Sequence, residues 1–142
     1  PSSQPRDHRL QLDKRARKLA LYDFGDRWAD VEGDLAADAA VITFGSTTAA
    51  VREAVARLAA EGTTVRLLAL RLLAPAQPPK LAKALTGVTR VLVIEQNHGG
   101  QLLQWLRAAY HLPGRPAGFH RPGPLPLRPG EIAEAILAWR NA

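Results

Sequence analysis

From Ala39 onward, short apolar runs alternate with segments in which apolar residues recur every three or four positions. Val41-Ile42-Thr43-Phe44 predicts a strand, closed by Gly45-Ser46-Thr47. Val51, Ala54, Val55 and Leu58 then share one helical face until Gly62 stops them. A second strand, rich in Val and Leu, is predicted over 64–72 and broken by 74–79. Pro79 suits the start of a helix carrying Leu81, Ala84 and Leu85, ended by Gly87. Val91-Leu92-Val93-Ile94 is the most continuous apolar run. After a polar, glycine-paired stretch comes a helix with Leu102, Leu103, Leu106 and Tyr110.

Strand, helix, strand, helix, strand, helix predicts a layered α/β domain around a mainly parallel sheet. Apolar runs without alternation fit strands covered on both faces. Residues 113–129 hold six prolines and break the pattern, with Phe119 marking a brief edge strand where proline is tolerated. A last helix is predicted from near Pro129, with Ile132, Ile136 and Trp139 on one side. Ahead of Ala39 the pattern is weaker. Leu12, Ala16 and Leu19 form one thin stripe among Lys and Arg over 8–21, and such a stripe should dock on the domain or on a neighbour. Residues 22–38 are acidic and turn-rich, with Gly25 and Gly33 as breaks and a short strand near 28–31. The expected organisation is a basic entry helix and acidic linker over 1–38, then one α/β domain over 39–142, with no internal repeat.

Composition narrows the class. With 142 residues, 46% hydrophobic and 23% charged, the chain is that of an ordinary globular domain. The net charge of +6 is concentrated in Arg6, Arg9, Lys14, Arg15, Arg17 and Lys18, opposed there by Asp7 and Asp13. No interleaved aromatics or reading motif accompany them, so a solvated basic helix or one facing an acidic partner is expected, and not nucleic-acid binding. No apolar run reaches the roughly 18–20 residues of a membrane span. Cysteine is absent, which removes disulfides and thiolate or iron–sulfur ligation by this chain. The polar, Pro/Ser-rich start without methionine reads as an excerpt of a longer polypeptide lacking a signal peptide, and the cytoplasm is the expected compartment.

Two segments carry candidate chemistry. Gly45-Ser46-Thr47-Thr48 lies at the carboxyl end of the first strand of the domain and opens a helix, where ligands collect and anions meet free N–H groups. The alternative is a plain cap, in which Ser46 or Thr47 accepts first-turn N–H groups. It matches neither a Walker loop nor a dinucleotide fingerprint. Glu95-Gln96-Asn97-His98-Gly99-Gly100-Gln101 follows the most apolar strand. It is either a loop contacting a partner subunit or the edge of an active site, or a turn in which Asn97 and Gln101 cap while Gly99 and Gly100 supply the backbone angles. Ser46 lacks a nucleophile elbow for a hydrolase with His98. His8, His98, His111 and His120 show no metal spacing.

Four pieces in series, ITFGSTTAAVREAVARLAAEG, VRLLALRLLAPAQP, VLVIEQNHGGQLLQWLRAAY and GEIAEAI, resemble the C-terminal domain of the α subunit of 2-oxoacid:ferredoxin oxidoreductases. The entry segment PSSQPRDHRLQLDKRARKL is similar to the linker of the 2-oxoglutarate-type members. The resemblance implies a transketolase C-terminal-like, three-layer α/β/α unit with a mixed five-stranded sheet. It implies a whole enzyme that uses thiamine diphosphate and Mg²⁺, passes electrons through an iron–sulfur cluster to ferredoxin, and transfers the acyl group to coenzyme A. This domain would bind none of these cofactors, carry no catalytic residue, and pack against the β subunit and the remaining α-subunit domains. Gly45, Ser46, Thr47, Glu95, Gln96, Asn97, Gly99, Gly100 and Gln101 are the residues expected to face a partner or ligand. Two other readings stay open: a stand-alone binding or assembly domain, or the C-terminal part of a 2-oxoacid dehydrogenase or deoxyxylulose-phosphate synthase.

Overall fold

The computed structural model describes residues 4–142; Pro1, Ser2 and Ser3, where the entry segment begins, lie outside the described residues. The elements in order are α1 (Pro5–Leu21), β1 (Ala29–Gly33), β2 (Ala39–Phe44), α2 (Thr48–Ala60), β3 (Arg66–Leu70), α3 (Pro78–Ala84), β4 (Arg90–Glu95), α4 (Gln101–Ala109), β5 (Ala117–His120) and α5 (Pro129–Asn141). Single 3₁₀ turns precede β1 at Gly25–Trp28 and α2 at Gly45–Thr47.

The five strands form one sheet in the order β1-β3-β2-β4-β5. Only β1 runs antiparallel; the other three pairings are parallel. The strand expected near 28–31 is therefore the antiparallel edge of the sheet, and the one expected around Phe119 is the opposite edge.

Alternate residues of each central strand enter two separate cores. Ala40 and Ile42 of β2, Leu68 and Leu70 of β3, and Val91 and Val93 of β4 pack with Leu81, Leu102 and Leu106 of α3 and α4. Val41, Leu67, Leu92 and Ile94 point the other way and pack with Val51, Leu58, Ile132 and Ile136 of α2 and α5. Cross-strand register makes this possible: Ile42 stands beside Leu68 on one side and Val93 on the other, so all three project to one face. The continuous apolar runs follow from having a core on both faces, which is the three-layer α/β/α arrangement.

The entry helix behaves differently. None of α1's residues is buried, and Leu10, Leu12 and Leu19 remain about half exposed. Its stripe does not dock on this domain. Among the described residues, no helix is long and apolar enough to cross a membrane.

Candidate functional site

The direction of each crossover decides where a crevice opens. From β2 the chain crosses through α2 on one face to reach β3; from β3 it crosses through α3 on the other face and passes β2 to reach β4. Neighbouring strands β2 and β4 thus send their following segments to opposite faces, and the loops leaving their carboxyl ends diverge. Such a topological switch point is where open α/β sheets form clefts. Here the cleft measures about 490 Å³. Gly45, Ser46 and Thr47 form one wall and Glu95, Gln96, Asn97 and Gln101 the other, while Phe44, Leu73, Leu102 and Trp105 supply apolar surface. Seven of the nine residues singled out from sequence meet in it; Gly99 and Gly100 stand outside the lining.

The first wall is built on two threonines. Thr43 and Thr47 are buried, their hydroxyl oxygens 2.6 Å apart. Thr43 Oγ1 also lies 2.9 Å from the Ile94 carbonyl and Thr47 Oγ1 3.1 Å from the Phe44 carbonyl, so two hydroxyl protons serve three contacts. The Thr43 bond ties β2 to β4 under the cleft, and the Thr47 bond folds the 3₁₀ turn back on its own strand. No side chain caps α2. The expectation that Ser46 or Thr47 caps that helix is corrected: Thr47 is turned inward to the Thr43 hydroxyl and the Phe44 carbonyl, and Ser46 is exposed with no hydrogen bond from its hydroxyl among the described residues.

The second wall is organised by Glu95, only 4% exposed. Its carboxylate accepts the main-chain N–H groups of Leu102 at 2.6 Å and Leu103 at 3.0 Å, and the Asn97 side-chain amide also donates to it. A negative group is favourable at the amino end of a helix, and α4 supplies both the free donors and the dipole. Asn97 Oδ1 accepts the N–H groups of Gly99, Gly100 and Gln101 at 3.1, 2.7 and 3.3 Å. Asn97 thus caps, as one of the two sequence readings had it, but the second cap is Glu95; the Gln101 side chain is exposed and makes no hydrogen bond among the described residues. Of the two glycines only Gly100 has a left-handed backbone, with φ of +63°. A Cβ there would stand 3.2 Å from the His120 ring. Gln96 faces away from the helix: its amide donates to the Leu125 carbonyl at 2.9 Å and accepts the Leu127 N–H at 3.2 Å, strapping the proline-rich loop to the rim.

The apolar part was not legible as a site. Leu73 follows β3, Leu102 and Trp105 lie on α4, and Phe44 ends β2 with 39% exposure. Trp105 stacks edge-on with Tyr110 at 5.5 Å, and the Tyr110 hydroxyl accepts the Gln77 N–H at 2.9 Å. Burial pushes the Tyr110 phenol above its usual value, partly offset by that hydrogen bond.

A second hollow, about 620 Å³, runs along the sheet edge where the short α3 leaves β1 uncovered. Its most deeply buried charged lining group, Arg66, is 6% exposed and donates to the carbonyls of Ala84 (2.6 Å), Thr86 (3.0 Å) and Leu35. That guanidinium closes the carboxyl end of α3, where unpaired carbonyls attract a cation.

Among the described residues no group of three or more His, Cys, Asp or Glu is placed to hold a metal ion.

Comparison with known proteins matches the family model for pyruvate:ferredoxin oxidoreductase core domain II over residues 37–116. The α subunit of 2-oxoacid:ferredoxin oxidoreductase 2 from Aeropyrum pernix is 36% identical over 104 residues, covering 70% of this chain and 16% of that protein. A solved 2-oxoglutarate:ferredoxin oxidoreductase from Magnetococcus marinus, with 2-oxoglutarate, coenzyme A and succinyl-CoA bound, superimposes with a TM-score of 0.79 at 33% identity. That match covers 97% of this chain and 24% of the solved chain. The chain therefore spans about a sixth and a quarter of the two relatives' lengths.

Proposed function

We propose a role for this chain from its family: it belongs to the pyruvate:ferredoxin oxidoreductase core domain II family, as a domain of the α subunit of a 2-oxoacid:ferredoxin oxidoreductase. Within the whole enzyme it acts as an assembly domain, packing against the rest of the α subunit and the β subunit. The enzyme oxidatively decarboxylates a 2-oxoacid, 2-oxoglutarate in this reading, with transfer of the acyl group to coenzyme A and of electrons to ferredoxin.

The observation that carries the assembly role is the chemistry of the cleft at the switch point. That position holds ligands in many open α/β sheets. Here none of its lining residues is Lys, Arg or His, and its one carboxylate is spent on α4. Thiamine diphosphate needs cationic or metal partners for its phosphates, and an iron–sulfur cluster needs thiolates, of which the chain has none. The residues lining this cleft do not fit those groups, and in this reading cofactor chemistry belongs to other domains. The solved relative, with 2-oxoglutarate and two coenzyme A species bound, supports the choice of substrate.

The test is complementation. An α subunit lacking this domain, mixed with its β subunit, should reduce ferredoxin with 2-oxoglutarate and coenzyme A only when the 142-residue chain is added back. Titration of the chain alone with thiamine diphosphate and Mg²⁺ should show no micromolar binding. Heat of binding in that titration, or full activity without the domain, overturns the assignment.

A further inference from the structure

We infer that the proline-rich segment 122–127 is a strap with two positions, latched by Arg121 and Glu131, and that its release frees the Gln96 carboxamide into the cleft between the β2 and β4 loops. The latch stands apart from the assembly role, because every group in it belongs to this chain.

Two side chains hold the segment in place. Pro122, Pro124 and Pro126 have no N–H to offer, and among the described residues 122–127 make no backbone-to-backbone hydrogen bond. Residues 122–126 are exposed. Among the described residues, their polar bonds to the domain come from Arg121 and Gln96 alone. Arg121 donates to the Leu125 carbonyl at 2.9 Å and to the Pro126 carbonyl at 3.2 Å. Gln96 donates to the same Leu125 carbonyl at 2.9 Å and accepts the Leu127 N–H at 3.2 Å.

Glu131 fixes the Arg121 arm. Its carboxylate pairs with Arg121 Nη2 at 3.0 Å and accepts the Arg128 N–H at 2.8 Å. The two ends of the strap thus meet on one carboxylate. Arg121 and Glu131 keep 34% and 41% of their side-chain surface in water, so solvent competes for both and the pair holds weakly.

Release costs little elsewhere. It breaks side-chain bonds and leaves the sheet ladder and the turns of α5 whole. Leu127 is the exception, 3% exposed and in one core with Ile132 and Ile136. Its side chain keeps the far end seated, so the segment lifts between β5 and Leu127. Segments with few backbone bonds open locally at a lower free energy than the whole fold.

The consequence falls on Gln96. It lines the cleft while both ends of its carboxamide are spent on the strap. Once the strap lifts, that carboxamide offers a donor and an acceptor to the cleft. The strap therefore sets whether this wall is already satisfied or open to hydrogen bonding.

Native-state hydrogen exchange of the 142-residue chain, whose sheet is covered on both faces by its own helices, is the test. The Leu127 N–H should be protected about tenfold less, or weaker still, than the Ile42 N–H of the central strand β2. Low urea should leave Leu127 almost unchanged while Ile42 quickens, because lifting the strap exposes little surface. Glu131→Gln should speed exchange of Leu127 and of the Gln96 side-chain amide by the same factor, roughly two- to fivefold. Arg121→Lys keeps the charge but gives up the fork, and should quicken both as well. If Leu127 matches Ile42 in protection and urea response, the segment opens only with the whole domain and the strap is overturned. Wild-type rates in either variant, or a faster Leu127 without a faster Gln96, overturn the latch.

Discussion

The carboxylate of Glu95, at the end of β4, accepts the N–H of Leu102, in the first turn of α4, at 2.6 Å. One side chain thus joins strand to helix across seven residues and fills the site where α4 would otherwise attract an external anion. Glu95→Gln keeps the shape but loses the charge, and its amide can accept through only one oxygen. Stability should fall by about 1.5–3 kcal/mol, the worth of hydrogen bonds to a charged group. Urea denaturation of the chain measures it, and an unchanged midpoint would contradict the assigned role.

Asn97 and Gln101 should separate cleanly. Asn97→Ala removes the acceptor of three N–H groups and should cost about 1–2 kcal/mol in the isolated chain. Gln101→Ala removes an exposed side chain and should stay within about 0.5 kcal/mol. Equal losses in a thermal or chemical melt would mean that both are internal caps.

The adjacent glycines should also diverge. Gly100→Ala forces a left-handed backbone on a residue with a Cβ and brings that Cβ to 3.2 Å from the His120 ring. A loss of about 1–2 kcal/mol is expected from the backbone alone. At Gly99 the backbone is not left-handed and no atom lies within 4 Å of an added Cβ, so Gly99→Ala should be nearly neutral. Matched melts of the two variants check the contrast.

Acid should loosen the amino end of α5. Glu131 accepts the Arg128 N–H at 2.8 Å and pairs with Arg121 at 3.0 Å. The Arg128 N–H, then Arg121, hold its carboxyl below the ordinary value of 4.5. Because the folded state binds this proton less readily than the unfolded chain, the contribution is present above that ordinary value. It is lost as pH falls through the lowered one. The difference in urea midpoint between wild type and Glu131→Gln should therefore be clear at neutral pH and shrink below the ordinary carboxylate range. A constant difference would show that the ionised form plays no part.

Continuous apolar runs placed the central strands, helical spacing placed the helices after them, and breaks by glycine and proline marked the short strands near 28–31 and Phe119. A run apolar at every position suits a strand covered on both faces, and a repeat of three or four suits a helix covered on one. Local residue types also marked the Gly45–Thr47 turn and the stretch 95–101 as special, because Gly, Asn and Glu beside an apolar strand announce a turn with unsatisfied N–H groups. What those residues do was decided elsewhere. Thr47 turns from the helix to the buried Thr43 hydroxyl and the Phe44 carbonyl, a contact set only by how the turn after β2 folds back. Glu95 reaches Leu102 only after β4 and α4 have packed, so nothing in the order of residues distinguished it from a solvated acid. Leu73 and Trp105 line a cleft only because the crossovers of α2 and α3 to opposite faces opened one beside them. Within the sheet and the helices that cover it, sequence sets which apolar residues are buried, since their burial follows a local pattern. The crevice depends on which strands become neighbours, and that is a property of the folded sheet.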